Sequence, residues 1–204
     1  MYTDRFTAGK SPGTIGAVTT SAPSVGRGAR DRLVAAAERL FYADGINAVG
    51  VDRLCQEAGV SKRSLYQHFS GKDAVVTAML ESTAQRHRRD RGTEGTPRER
   101  VLAAFDRLET GAASPQFRGC PFVAAAVELK DRDHPAAVVA RREKQALTDH
   151  FATLAREGGA RDPESLAIQL TLVFDGASAH GVVHGGATAA TRRAVTTLMD
   201  AHGM

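Results

Sequence analysis

The chain has 204 residues, with 27 Lys and Arg against 23 Asp and Glu, a net charge of +4, two cysteines and no tryptophan. That length allows one large or two small domains with an ample core. No apolar run approaches a membrane span and the N-terminus has no apolar signal segment, so a soluble, cytoplasmic protein with no membrane partner is expected.

The two cysteines lie far apart without metal-type spacing, which fits free thiols in a reducing compartment. No Ser/His/Asp set, carboxylate pair or Gly-rich phosphate loop stands out, so neither catalytic residues nor a cofactor are expected. Residues 1–28 are rich in Ser, Thr, Gly and Pro and lack a periodic apolar stripe, and they read as a disordered arm. Arg5, Lys10, Arg27 and Arg30 could touch a nucleic-acid backbone or minor groove, as basic arms do, or could simply be solvated.

The spacing of Leu33, Ala37, Leu40 and Phe41 predicts a helix from about residue 30 to 43, ending at Gly45. Two short helices follow, meeting across Ala58-Gly59-Val60. In the first, Val51, Leu54, Cys55 and Ala58 form a narrow apolar stripe, with Asp52, Arg53, Gln56 and Glu57 turned outward. Small Ala58 lets the next helix approach, Gly59 ends the segment in a left-handed conformation, and Ser61 caps a helix over 62–69. Leu54, Val60, Leu65 and Phe69 would close a three-helix core with the first helix. Helix, short Gly-containing turn and helix make the helix-turn-helix pattern.

Lys62 and Arg63 fall in the first turn of the second short helix, where free N–H groups already carry partial positive charge and acidic side chains are favoured. Such a turn calls for an anion in front of it. Ser70 is placed to cap a third helix with Asp73 as the reciprocal partner, and Lys72 stands in that first turn as well. Two basic helix starts so close together make a phosphate-binding arrangement, and Ser64, Tyr66, Gln67 and His68 add groups suited to phosphates and base edges. Overall charge agrees: residues 27–91 carry twelve basic and eight acidic residues, net +4, while residues 92–204 carry thirteen and fourteen, net −1. The polyanion partner belongs to the N-terminal half.

From about Arg30 to Glu81 the segments ARDRLVAAAERLFYADG, AVGVDRLCQEAGV and SKRSLYQHFSGKDAVV resemble the DNA-binding domain of the tetracycline-repressor (TetR) family of bacterial transcription regulators. The resemblance implies that Lys62, Arg63 and Ser64 face the major groove and that Tyr66, His68 and Lys72 hold phosphates of a double-stranded operator. Ser61 and Gln67 complete the expected DNA-binding set. Gly50-Val51 and Asp52 depart from the Thr or Ser and the basic or polar residue frequent in the family, and Asp52 is not counted as a DNA ligand.

A helix opening at Gly71 carries Val76, Met79, Leu80 and Thr83 on one face. It ends in a run, Arg86, Arg88, Arg89 and Arg91, read here as a solvated face that suits the helix dipole. Thr96-Pro97-Arg98-Glu99 sets cap, first-turn proline and capping-box glutamate in order, with Val101, Phe105 and Leu108 in line behind them. An irregular stretch leads to a short apolar helix over 121–129. His134-Pro135 opens a long helix through Val138, Leu147, Phe151 and Leu154. Asp162-Pro163-Glu164 starts another through Leu166, Leu170, Val173, Phe174, Ala177 and Gly181, and a last helix runs over about 188–201. The expected architecture is all-α, with a disordered arm (1–28), a helix-turn-helix domain (29–75) and a helical ligand-binding and dimerisation domain (76–204).

The last two helices hold more small and unbranched apolar residues than one small domain needs. A homodimer through Leu170, Phe174, Ala177, Gly181, Ala194 and Leu198 is therefore expected, as the resemblance also implies. It further implies a pocket for an unknown small-molecule effector, for which Phe105, Leu108, Phe117, Cys120, Phe122 and Phe151, beside Glu128, are the candidates. Alternatives stay open. His180 and His184 have the i, i+4 spacing of a metal edge without a third ligand. Cys120 could be a redox thiol of lowered pKa. The chain could also coat DNA nonspecifically or be an enzyme.

Overall fold

The computed structural model describes residues 28–186 and 189–204, and every regular element among them is a helix. The helices are α1 (Ala29–Asp44), α2 (Val51–Ala58), α3 (Lys62–His68), α4 (Lys72–Arg89), α5 (Pro97–Ala112), α6 (Pro121–Leu129), α7 (Pro135–Glu157), α8 (Pro163–His184) and α9 (Ala189–His202). Arg5, Lys10 and Arg27 lie outside the described residues.

Most of the helix ends follow from local chemistry. Gly59 stops α2 in the left-handed region (φ 61°, ψ 44°), where a residue without Cβ is cheapest. The Ser61 hydroxyl accepts from Ser64 N at 3.1 Å, and Thr96 with Glu99 forms the full capping box of α5. His134 and Asp162 cap α7 and α8 by accepting from Ala136 N and Ser165 N. The α4 start differs from expectation. Ser70 does not cap it; Gly71, in extended backbone, is the N-cap and has no side-chain cap bond. Asp73, freed from that role, sets its Oδ2 3.5 Å from His134 Nε2.

Two apolar cores divide the chain. The first joins Leu33, Ala37, Leu40, Phe41, Leu54, Leu65 and Phe69 of the helix-turn-helix to Val75, Val76, Met79 and Leu80 of α4. It continues into Phe122 and Ala125 of α6 and Ala136, Val139 and Ala140 of α7. The second gathers Val101, Phe105, Phe151, Leu154, Leu166, Leu170, Val195 and Met199, with the rings of Phe105 and Phe151 stacked 6.0 Å apart. The boundary expected after residue 75 thus falls inside α4, whose buried side chains belong to the first core on both sides of it.

Three sequence expectations change. The arginine run is exposed at Arg86, Arg88 and Arg89, but it is not merely solvated: Arg86 pairs with Glu38, and Arg88 and Arg91 both pair with Glu143, which is only 3% exposed. A carboxylate buried on α7 requires cations, and α4 supplies them. Val138 is 44% exposed instead of lying in the core. Finally, α8 is long and apolar enough to span a membrane, with an 18-residue window of mean hydropathy 1.3, only a third of it buried.

Removing the Phe151 ring should leave a cavity against Phe105 and Phe174. Phe151→Ala is expected to lower the unfolding free energy by about 3–5 kcal/mol. Val138→Ala should change it by under about 0.5 kcal/mol. Urea denaturation followed by circular dichroism compares the two.

Candidate functional site

Leu65 and Phe69 anchor α3 in the first core, which leaves its other faces outward. Ser61, Lys62, Arg63, Gln67 and His68 are exposed, Tyr66 is 57% exposed, and Ser64 and Lys72 are half-buried. Among the described residues Arg63 has no carboxylate within ion-pair distance. Lys62 Nζ instead lies 2.5 Å from Asp52 Oδ1, and that hydrogen bond pushes the ammonium pKa up. The cost of a cation in the first turn of α3 is therefore offset by a carboxylate in the first turn of α2, where acid suits the dipole. The Arg30 guanidinium stands 5.4 Å over the Phe69 ring and helps clamp α1 onto α3.

Behind this head lies a cavity of about 660 Å³. Of the six residues expected to line it, Leu108, Phe117, Cys120 and Phe122 do so. Phe105 and Phe151 do not; they are buried in the second core, where both rings pack on Phe174, which itself reaches the wall. The wall also includes Glu38, Phe41 and Tyr42 of α1 and Met79, Thr83 and His87 of α4, beside Glu143, Lys144 and His150 of α7. These were not foreseen. A polar residue inside an apolar stripe, such as Glu143 on α7, is the sequence signal that could have found some of them.

Burial shapes the titrations here. It pushes the Cys120 thiol up, and the opposing pull of Lys144 and of the Val123 and Phe122 N–H groups is smaller, so Cys120 is not a thiol of lowered pKa. His87 is pushed down by burial and then by Arg86, and His150 by burial and then by Arg91, Arg100 and Arg107.

Two hydrogen-bonded contacts tie the head to the cavity wall. The Glu128 carboxylate accepts from Ile46 N at 2.8 Å and Asn47 N at 2.6 Å, in the turn between α1 and α2. Gly45 (φ 90°) makes room: a Cβ there would sit 3.1 Å from Glu128 Oε1. The Tyr42 hydroxyl donates to Gly119 O at 3.1 Å and accepts from Arg118 N at 2.9 Å, fixing the loop before α6.

The helices expected at a subunit contact point differently from the sequence reading. Leu170, Ala177 and Gly181 are buried within the chain, and a Cβ on Gly181 would lie 2.9 Å from Ala112 Cβ. Phe174 faces the cavity, Leu198 is half-buried against the second core, and Ala194 is exposed. The outer face of α8 instead carries Ile168, Leu172 and Val183, with Leu172 67% exposed. The rings of His180 and His184 stand 4.3 Å apart, and no third His, Cys, Asp or Glu joins them among the described residues.

The fold and its outward α3 define a helix-turn-helix DNA-binding regulator. Residues 33–79, which run from α1 into α4, match the family described as bacterial regulatory proteins, tetR family. A solved structure from Streptomyces avermitilis, described as a TetR transcriptional regulator, superposes with a TM-score of 0.82. It is 43% identical, covering 87% of this chain and 100% of that one. The TetR-family regulator SCO4454 of Streptomyces coelicolor superposes at 0.81 with 32% identity, covering 86% and 96%. The regulator TtgR of Pseudomonas putida is 26% identical over 164 residues, 72% of this chain and 77% of its own. The chain belongs to the TetR family of bacterial transcriptional regulators.

Asp52 pairs with Lys62 and adds a negative charge near the start of α3. Asp52→Asn, which removes one negative charge and frees one cation, is therefore expected to tighten binding to all duplexes and to steepen the dependence of log K on log salt by up to about 0.9. Fluorescence anisotropy across a salt series measures both; an unchanged slope would show that Lys62 does not reach DNA.

Proposed function

We propose that the chain is a homodimeric, cytoplasmic repressor that holds a palindromic operator and releases it when a small molecule fills the cavity. The observation that carries this reading is the composition of the cavity wall, which draws on α1 and α4 of the head as well as α5 to α8. A ligand there contacts the DNA-reading unit directly. It weakens operator binding only to the extent that it prefers the conformation unsuited to DNA, and about 1–3 kcal/mol of such preference is a 5- to 150-fold effect.

On DNA, Arg63 reads base edges with Lys62 and Ser64, while Tyr66, His68 and Lys72 hold phosphates, and Ser61 and Gln67 flank them. Two such heads reach successive major grooves when about 34 Å apart, which a dimer supplies. Ile168, Leu172 and Val183 of α8 with Ala194 and Leu198 of α9 form the face offered to the second chain. Self-association accounts for the exposed apolar residues of α8 without a membrane. The metal alternative at His180 and His184 and the redox alternative at Cys120 gain no support from their surroundings.

Leu172 lies outside the chain's own core, so Leu172→Glu should leave the monomer folded and halve the sedimenting mass at micromolar concentration; an unchanged mass would move the dimer face elsewhere. Glu128→Gln retains one acceptor for Ile46 N or Asn47 N but not both. It is expected to keep ligand-free operator affinity while shrinking the release, so that a ligand causing a drop of about 100-fold in the parent causes under about 10-fold in the variant. Titrating operator with and without ligand measures that ratio.

A further inference from the structure

We infer that the effector is an apolar organic anion whose charged group sits at the end of the cavity lined by Arg91, Arg107 and His150. The inference rests on the cavity being the effector site. Most of the wall is hydrocarbon, with Leu108, Phe122, Leu147 and Phe174 facing the space, so the body of the ligand is apolar. Its charge follows from which wall groups already have partners.

Three of the four wall carboxylates are committed. Glu38 pairs with Arg86, Glu128 accepts the Ile46 and Asn47 N–H groups, and Glu143 is held by Arg88 and Arg91. Asp90, the fourth, is the exposed C-cap of α4. The cations are not balanced in the same way. Among the described residues Arg107 has no carboxylate within ion-pair distance, and the Arg118 guanidinium meets only the carbonyls of Pro115 and Phe117.

His150 reports the resulting field. It faces Arg91 just beyond α4, which Glu143 holds, Arg100 on α5, which Glu157 holds at 3.1 Å, and Arg107, unpaired among the described residues. Burial, and then these cations, hold the imidazole pKa below its ordinary value. A neutral ligand leaves that field uncompensated and a cation is repelled by it. An anion meets a guanidinium without a competing carboxylate, and its charge restores protonation of His150, adding a second cation to the seat. Binding then takes up a proton, so affinity for an anion that stays ionised rises as pH falls through the imidazole range.

Two matched fluorescent probes test this: anilinonaphthalene sulfonate and N-phenylnaphthylamine, the same aromatic body without the sulfonate. Against the full-length dimer the sulfonate is expected to bind at least about tenfold tighter. Arg107→Gln should remove most of that advantage while leaving the neutral probe's Kd unchanged. The sulfonate's gain between about pH 8 and about pH 6 should disappear in His150→Gln. Leu108→Trp, which projects a larger ring from the wall into the cavity, should weaken binding of both probes. Equal affinity for the two probes, or equal weakening of both by Arg107→Gln, overturns the anion assignment alone. Failure of both probes to bind, or unchanged affinity for both in Leu108→Trp, overturns the cavity reading with it.

Discussion

A seven-residue helix cannot hold itself together in water, where isolated helices shorter than about 12–15 residues are marginal. That constraint governs α3 and, through it, most of the chain. Its stability comes from two side chains, Leu65 and Phe69, pressed into a core built by α1, α2 and α4, and from the Ser61 cap. Its first turn works against it, because Lys62 and Arg63 oppose the helix dipole, and Asp52 compensates one of the two. The exposed face of α3 is thus held in a helical conformation that the segment alone would not adopt.

The helix that follows α3 reaches the interior. α4 is one continuous helix, from Lys72 beside the recognition helix to Arg89 beside α7. At its far end Arg88 and Arg91 grip a single buried carboxylate, Glu143, which is also part of the cavity wall. At the near end Glu128 and Tyr42 tie α1 and its turn to α6 and the preceding loop. In the function proposed, a change in the cavity acts on the head through packed helices and short hydrogen bonds. This is why a single apolar space serves both recognition and release in the function proposed.

What was legible in the sequence is what nearest neighbours along the chain decide. The Ser61, Thr96 and Asp162 caps, the Gly59 stop and the apolar stripes of the first three helices each depend on residues within one or two turns, and all were readable. Ser70 misled because an extended Gly71 intervenes and Asp73 turns to His134. The pairing of Arg88 and Arg91 with Glu143 was not readable because the partner is more than fifty residues away, and the Glu128 clamp spans more than eighty. Periodicity shows that α8 has apolar residues on several faces but not which face turns inward. Leu170, Ala177 and Gly181 took the inner face and Leu172 the outer, a choice set by α5 and α7. For the same reason Phe105 and Phe151 became floor to the second core instead of wall to the cavity.

The central claim is that paired α3 helices read a specific operator. It is tested most directly by selecting bound duplexes from a random pool at a fixed, near-physiological salt concentration. The account predicts enrichment of an inverted repeat whose half-sites are centred about one helical turn, or a multiple of it, apart. Binding without enrichment of any sequence, by protein that is folded and dimeric, would contradict it and leave only the salt-dependent affinity of a basic surface for phosphate.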